Sequence, residues 1–211
     1  AAHAAKVGVE AICCVPPFFY NQTDEAIVDH YKAVAAAADL PFYVYNLPQS
    51  TGVEITIELM QKIQDGVPQL AGLKHSSINF VNVREWEKMG LSCFIGSSML
   101  MVPALSIGAV GCIDGPPCAA PELWVNIWKS WQAGDINAAM AAQKKASLFT
   151  EIMKEAGVHS GTKAVLTERL GIDCGSGRLP NPPLEGSRRE SILQRISDLG
   201  IGKVMSIASD D

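Results

Sequence analysis

Five apolar runs, each ending in turn residues and followed by a helix-like stretch, constrain the fold of this 211-residue chain more than any other feature. Near-continuous apolar runs of this length are typical of strands buried on both faces, as in a parallel sheet. The alternation therefore predicts an α/β fold, either a (β/α)8 barrel or a doubly wound sheet. The five runs are VEAICCVP (residues 9–16), FYVYNLP (42–48), LAGLKHSS (70–77), SCFIGSS (92–98) and GAVGCIDG (108–115).

Helix start signals lie between the runs. Thr23 precedes DEAIVDHYKAVAAAA and Thr56 precedes IELMQKI, so each threonine is a predicted N-cap. VNVREWEKM and MLMVPALSI follow the third and fourth runs, and Pro121 opens ELWVNIWKSWQA at a position that favours proline. No GxGxxG motif follows any run, which disfavours a dinucleotide-binding sheet.

Everything after the fifth run is predicted to be helical. A long amphipathic helix starts near Asp135, GTKAVLTERLG forms a shorter one, and a proline-rich link leads to SRRESILQRISDL. We therefore expect a partial barrel over residues 1–134 and a C-terminal helical region over residues 135–211. Five βα units are too few for an eight-stranded barrel, which usually takes about 250 residues. Because the chain also opens abruptly with AAHAAKVGVEA, we expect it to lack the first part of the barrel.

Charge and cysteine content exclude several classes of partner. The net charge of -5 and the absence of a basic run disfavour nucleic acid, which needs clustered Lys and Arg. The apolar runs are far shorter than the roughly 20 residues of a membrane span, so no membrane partner is expected. Six cysteines without a CxxC pair disfavour a metal site and a disulfide framework, and favour a reducing cytoplasm. Four of the six lie in apolar runs and are predicted to be small core residues, namely Cys13, Cys14, Cys93 and Cys112.

The strongest candidate for chemistry is Lys74, which lies inside an apolar run. Barrels carry their catalytic groups at the C-terminal ends of strands. Burial lowers the pKa of a lysine, and a free amine can attack a ketone to form a Schiff base. Tyr45 ends the preceding strand, so we expect it beside Lys74, with its hydroxyl as a proton shuttle. Two simpler interpretations stay open, a lysine that snorkels to the surface and a tyrosine that only packs.

The histidines are expected to be structural or exposed. Strand alternation places His75 on the opposite face of the sheet from Lys74. The other three have no partner motif and are expected at the surface, namely His3, His30 and His159.

Four motifs occur in a fixed order along the chain: YNLPQSTG, GLKHSS, GSSMLMVPALSIGAVGCIDG and PEL. Together they resemble the N-acetylneuraminate lyase and dihydrodipicolinate synthase superfamily. The resemblance covers essentially the whole chain. It implies a class I, pyruvate-handling aldolase on a (β/α)8 barrel with a C-terminal helical cap.

The resemblance also implies roles for five residues. Lys74 would form the Schiff base with pyruvate, and Tyr45 would relay protons and orient the substrate carboxyl. Substrate-binding positions would be Gly96 at the pocket, Ser76 where the lyase branch has a small hydroxyl residue, and Ile113, whose backbone would lie beside pyruvate. No metal or organic cofactor is implied. The family assembly implies a homo-oligomer, a tetramer.

Departures from the family pattern lie where the aldehyde partner would bind. Ser50 stands where the synthase branch has an arginine for the aldehyde's carboxylate. Ser98 and Met99 replace the Asp-Glu pair of sialic acid lyases, and Cys118 replaces the usual asparagine after strand eight. The resemblance therefore keeps the pyruvate end of the site and alters the other end.

A further departure concerns the tyrosine that a neighbouring subunit contributes in the family. That position aligns with Phe19, which cannot relay a proton, and Tyr20 is the candidate substitute. The Gly-rich segment that binds the pyruvate carboxylate in the family is not found upstream of the first run. We therefore expect weak or no aldolase activity from the 211-residue chain and activity from a full-length form.

The expected function is that of a pyruvate-dependent class I aldolase or lyase that cleaves or forms a 2-keto acid, as N-acetylneuraminate lyase does. A 2-keto-3-deoxy sugar acid aldolase or dehydratase and a dihydrodipicolinate synthase-like enzyme are alternatives. The alternative from another class is a truncated relative without catalysis.

Overall fold

The five strands lie in one parallel sheet, in a computed structural model that describes residues 1–204. They follow the chain in the order β1-β2-β3-β4-β5, and each neighbouring pair is parallel. A doubly wound sheet reverses its strand order, whereas this sheet adds strands sequentially, as a barrel does. The order therefore confirms a partial (β/α) barrel. The strands are β1 (Ile12–Cys14), β2 (Phe42–Asn46), β3 (Leu70–His75), β4 (Ser92–Ile95) and β5 (Gly111–Cys112).

The helices alternate with these strands and then continue alone. The predicted threonine N-caps are confirmed, because Thr23 Oγ1 accepts the Ala26 N–H at 3.3 Å and Thr56 Oγ1 accepts the Leu59 N–H at 3.2 Å. Short 3₁₀ turns occupy Ser98–Leu100 and Pro116–Cys118. The α-helices are α1 (Ala2–Lys6), α2 (Asp24–Ala36), α3 (Pro48–Thr51), α4 (Ile57–Gly66), α5 (Asn82–Lys88), α6 (Met101–Leu105), α7 (Pro121–Gln132), α8 (Ile136–Ala156), α9 (Val158–Leu170) and α10 (Gly186–Asp198).

Alternation along β2 divides the sheet into two faces. Phe42, Val44 and Asn46 are fully buried, and the first two join a core with side chains of α2, α4 and α5. Tyr43 and Tyr45 are half-buried and point to the opposite side, as strand geometry requires. We call this second side the inner face. It is the face on which a barrel carries side chains toward its interior.

The fifth strand is much shorter than its apolar run. Only Gly111–Cys112 is assigned as strand, although the run over residues 108–115 predicted a longer one. The run begins at Gly108, whose φ of 106° is a conformation that other residues rarely adopt. Backbone pairing nevertheless extends around the strand, because Val110 N–H donates to the Cys93 carbonyl and Ile113 N–H to the Ile95 carbonyl.

The chain divides into two compact units, Ala1–Ile113 and Asp114–Asp211. The first contains the sheet, and the second is free of strands over its described residues 114–204. The sequence-based division at residues 134 and 135 stays a prediction.

A buried arginine ties together the helical unit. The guanidinium of Arg169, on α9, donates to the carbonyls of Ala119 and Gly202 and forms an ion pair with Glu122 of α7. Over residues 1–204, no helix is both long and apolar enough for a membrane crossing.

Candidate active site

Tyr45 and Lys74 occupy the same rung of the sheet. The register between β2 and β3 pairs them directly, one rung before the strands end. Lys74 Nζ lies 4.0 Å from the centroid of the Tyr45 ring, which is within the range of a cation–π contact. Both residues are half-buried on the inner face. The predicted proximity of the two side chains is therefore confirmed.

Lys74 faces a cavity of about 310 Å³ on the inner face. This volume is at the lower end of small-molecule sites, which span roughly 300–1,000 Å³. A larger cavity, of about 450 Å³, lies beside α9 and α10 in the helical unit, but its lining includes neither Lys74 nor Tyr45. We place the candidate site at the smaller cavity because its wall includes Lys74, a potential nucleophile whose amine lies over the ring of Tyr45, a potential acid–base group. Its wall consists of Ala11, Ile12, Cys13, Tyr43, Lys74, Phe94 and Ile113.

Gly96 and Ser76 meet where β3 and β4 end. A Cβ added at Gly96 would lie 1.8 Å from Ser76 Oγ and 3.0 Å from Ser76 Cα, so no other residue fits without a shift. The Gly96 N–H donates to the His75 carbonyl at 2.8 Å, which continues the β3–β4 pairing past the strands. Ile113 follows β5 and contributes a partly exposed side chain to the cavity wall. The structure thus groups Lys74 with Ile113, and Ser76 with Gly96.

A buried hydrogen-bond network lies on the other face of the sheet, behind the Tyr45–Lys74 rung. The Asn46 side chain accepts the Ile55 N–H at Oδ1, 3.1 Å away. Its Nδ2 lies 3.0 Å from Glu54 Oε1 and 3.3 Å from His75 Nδ1. Sequence reasoning missed this network, and the available signal was a polar residue directly after Tyr45 at the end of an apolar strand.

His75 points away from Lys74, as predicted. The ring is fully buried, packs edge-on against Trp86 with centroids 5.9 Å apart, and places Nε2 3.1 Å from the Asn79 carbonyl. Burial lowers the pKa of His75, against the opposing effects of the Asn79 bond and the nearby Glu54 charge. The imidazole is therefore held in its neutral form.

Cys13 is not a core residue. It was predicted as a core residue, but it is exposed and lines the cavity beside Lys74. Desolvation of its thiol raises the pKa to about 11, although the charge of Lys74 acts in the opposite direction. The prediction failed because both alternating positions of the run AICCV are apolar, so the pattern did not show which ones face inward. Cys93 is fully buried, and Cys14 and Cys112 pack against the core half-buried.

His30 also departs from its prediction as a surface residue. It is half-buried on α2, with Nε2 3.6 Å from Cys14 Sγ. His3 and His159 are exposed, as expected. Among residues 1–204, no three His, Cys, Asp or Glu side chains are arranged to hold a metal ion.

Phe19 and Tyr20 form an exposed aromatic pair after β1. Their side chains are 85% and 72% exposed, and their ring centroids lie 4.9 Å apart in an edge-on arrangement. Phe19 has a φ of 85°, which is uncommon for a residue other than glycine. The altered positions Ser50 and Cys118 are also exposed, whereas Ser98 is fully buried.

Comparison with known proteins yields one family and a consistent set of relatives. The model of the dihydrodipicolinate synthetase family matches residues 1–199. A protein of Halobacterium salinarum described as an uncharacterized DapA-like lyase is 34% identical over 203 residues, 95% of this chain and 66% of the relative. The N-acetylneuraminate lyase of Rattus norvegicus is 31% identical over 188 residues, 85% of this chain and 59% of the relative. The chain thus spans less than two thirds of the length of these two proteins.

Solved structures show the same fold. The wild-type sialic acid aldolase of Ruminococcus gnavus matches with a TM-score of 0.87 and 28% identity, over 94% of this chain and 69% of that chain. A variant of that enzyme described as a catalytic lysine mutant also matches with a TM-score of 0.87. Dihydrodipicolinate synthase from Aquifex aeolicus matches with a TM-score of 0.85 at 22% identity, which supports the fold alone.

Proposed function

Because the chain belongs to the dihydrodipicolinate synthetase family, we propose that it is a pyruvate-dependent class I aldolase or lyase. The observation that carries this proposal is the shared rung of Tyr45 and Lys74, with the amine 4.0 Å from the tyrosine ring centroid. The likeness to a sialic acid aldolase with a catalytic lysine, and to a rat N-acetylneuraminate lyase, supports the lyase direction.

The proposed reaction uses Lys74 as the nucleophile. Its amine attacks the C2 carbonyl of a 2-keto acid, a C–N bond forms and water leaves, which gives an imine. The hydroxyl on the carbon beyond the bond that breaks gives its proton to Tyr45 and becomes the aldehyde carbonyl. The electron pair of the broken carbon–carbon bond passes to the protonated imine. The resulting enamine is protonated at C3, and hydrolysis releases pyruvate and restores the amine. Tyr45 moves the protons in these steps as the neighbouring acid–base group. The chemistry calls for no metal or organic cofactor, because the imine itself accepts the electrons.

Three further residues form the proposed binding surface. Ser76 and Gly96 lie against each other, so the glycine leaves room for the serine hydroxyl at the strand ends. Ile113 shares the cavity wall with Lys74. Ser50 is exposed on α3 and carries no charge, so an aldehyde with a carboxylate would lack the expected cation there. We therefore favour an N-acetylneuraminate lyase-like substrate over that of dihydrodipicolinate synthase.

The proposal includes a homo-oligomer, a tetramer by family resemblance, in a reducing cytoplasm. The exposed Phe19–Tyr20 pair supports it, because an exposed aromatic pair is suited to an interface. Six free thiols support the compartment.

Borohydride trapping tests the proposed function. In a full-length form, incubation with pyruvate and borohydride should leave a reduced pyruvyl adduct on Lys74, located by peptide mass spectrometry. Lys74→Arg should abolish the adduct, whereas the matched change Lys88→Arg, at an exposed helix position, should preserve it. An adduct on another residue would contradict the assignment of Lys74, and an adduct on the 211-residue chain would contradict the expectation that this chain has weak or no activity.

A further inference from the structure

The rung beyond Tyr45 and Lys74 carries a second pair of side chains. Asn46 and His75 are direct partners in the β2–β3 register and point to the face opposite Lys74. Both are fully buried, and their side chains are 3.3 Å apart. Each reactive residue is therefore followed in the chain by one member of a buried polar pair.

Hydrogen-bond geometry fixes the orientation of Asn46 and the tautomer of His75. The Ile55 N–H can be accepted only by Asn46 Oδ1, so Nδ2 must carry both donors of the amide. One donor serves Glu54 Oε1 and the other serves His75 Nδ1. His75 Nδ1 is then an acceptor without a proton, and Nε2–H donates to the Asn79 carbonyl at 3.1 Å. The neutral imidazole with its proton on Nε2 is the form that satisfies every contact.

The same network connects several strand ends. Glu54, in the segment between α3 and α4, accepts from Asn46 and from Ser77 Oγ at 2.9 Å. The backbone adds two links of 2.8 Å each, from Ser76 N–H to the Asn46 carbonyl and from Gly96 N–H to the His75 carbonyl. The C-terminal ends of β2, β3 and β4 are thereby held together directly behind the candidate site.

We propose that Asn46 and His75 are positioning residues for Tyr45 and Lys74, and that His75 holds the rung only while its imidazole is neutral. This inference rests on the proposed function. A proton on Nδ1 would set an N–H of the ring against the amide N–H₂ of Asn46. Rotation of the amide would relieve that conflict but would break its bonds to Ile55 and Glu54, and the strand ends would lose their shared restraint.

The surroundings of His75 determine the direction of the pH effect. The ring contacts Asn46 of β2, the Asn79 carbonyl and Trp86 of α5, and it lies within the field of Glu54. Of these groups, Glu54 alone carries charge. Burial outweighs that charge and lowers the pKa of His75, so the rung should be intact at neutral pH and loosen in acid.

Two readouts test the proposal. The first is the rate of borohydride trapping on Lys74 between neutral and acidic pH. The second needs no substrate: the ε protons of Lys74 sit over the Tyr45 ring, and NMR can follow their ring-current shift.

Variants separate positioning from packing. Asn46→Ala and His75→Phe, which keeps the stack on Trp86, should each slow trapping by about 100-fold, as a misplacement near 1 Å does. Both should also reduce the ring-current shift at neutral pH. His75→Gln retains an acceptor and a donor that do not titrate, so it should stay within several-fold of the parent rate and decline less steeply in acid than the parent. His159→Gln is the matched control at an exposed histidine, and it should preserve both the rate and the decline.

The outcomes for the two hypotheses differ. A full-length parent protein without any Lys74 adduct would overturn the proposed function, and the ring-current shift would then decide on positioning by itself. Circular dichroism confirms that each variant is folded. If folded Asn46→Ala and His75→Phe keep the parent shift, or if trapping by His75→Gln declines in acid as steeply as trapping by the parent, the positioning role of the pair is refuted.

Discussion

At the scale of single residues, the ring and the hydroxyl of Tyr45 have separable roles. The ring lies under the Lys74 amine, and the hydroxyl is the proposed proton shuttle. Tyr45→Phe keeps the ring and should lower kcat by about 10²- to 10⁴-fold, the usual contribution of general acid–base catalysis. Steady-state kinetics with a 2-keto acid measure the effect.

The control for Tyr45→Phe is another tyrosine that loses only its hydroxyl. Tyr31, on α2, has a buried hydroxyl without a hydrogen-bond partner in the described chain, so Tyr31→Phe should leave kcat unchanged. Parental kcat in Tyr45→Phe would rule out the shuttle.

At Gly96, the addition of one methyl group should lower the stability of the protein and weaken substrate binding. Gly96→Ala places a Cβ 1.8 Å from Ser76 Oγ, so the serine must move and KM for the keto acid should rise. Ser76→Gly combined with Gly96→Ala removes the clashing atoms and should recover part of the stability lost in Gly96→Ala.

Gly72→Ala is a matched comparison for this pair. Its added Cβ would lie 2.0 Å from the Ser92 carbonyl oxygen, a backbone atom that no side-chain deletion removes. Denaturation midpoints of the single and double variants test this. Equal midpoints for Gly96→Ala with and without Ser76→Gly would show that the serine does not set the constraint.

The residues of the site differ in how far the sequence predicts them. Lys74 and Tyr45 were expected to be neighbours because they lie near the ends of two consecutive apolar runs. If those runs form adjacent parallel strands, the two residues lie side by side. The partners of Asn46 were not predicted. Glu54 reaches it across a chain reversal that local patterns do not encode, and the strand pairing that places His75 opposite Asn46 does not show that the two side chains share a hydrogen bond. The exposure of Cys13 was not predicted either. Where both the inward-facing and the outward-facing positions of a strand are apolar, the sequence does not show which residues are buried.

At the scale of elements, helix starts were the most predictable features. Thr56 caps α4 through a bond of 3.2 Å to the Leu59 N–H. Thr56→Ala should lower the free energy of unfolding by about 1 kcal/mol, and Thr56→Ser, which keeps the acceptor oxygen, should lower it much less. Urea denaturation of the two variants measures the difference. Equal losses would show that the hydroxyl is not the source of the capping effect.

Strand ends were less predictable than helix starts. A run of apolar residues indicates burial, but the length of a strand depends on where its neighbour can continue the hydrogen-bond ladder. The run at residues 108–115 therefore predicted a full strand where the structure has the two residues of β5. An N-cap side chain bonds a backbone N–H only two or three residues further along the chain, so a helix start can be predicted from the local sequence.

At the scale of the whole molecule, the alternation of runs and helices predicted an α/β fold but left barrel and doubly wound sheet open. Sequential strand order decides between them, and strand order depends on contacts between distant segments. The family resemblance also predicted a barrel, from motifs and not from strand order.

Two buried neutral groups should define the pH range in which the sheet-bearing unit is most stable. The folded pKa of His75 is lowered from 6.5, so its stabilisation is complete above about pH 6.5 and is lost as the pH falls below it. Burial raises the pKa of Cys93 from 9.0 to about 12, so its stabilisation is complete below about pH 9 and is lost as the pH rises toward 12. The protection of β3 and β4 amides from hydrogen exchange, relative to the unfolded chain at the same pH, should be constant between these two pH limits.

Substitutions test which group causes the loss of stability at each end of this pH range. We call the two ends of the stability curve its acidic limb and its alkaline limb. His75→Gln should flatten the acidic limb, and Cys93→Ala should flatten part of the alkaline limb at some cost in core packing. An acidic limb that is unchanged in His75→Gln would assign it to other groups.

The placement of Tyr45 and Lys74 on paired strands allows the loops to change in evolution while the distance between these two residues is kept. Their distance is set by the ladder between adjacent strands, whereas Ser50, Phe19 and Ile78 are exposed and lie in segments beyond the strand ends. Such segments can be exchanged or grafted while the ladder keeps the amine over the ring. New substrate ranges can then arise by drift in the loops, because the proposed nucleophile and its proposed proton shuttle are inherited intact with the sheet.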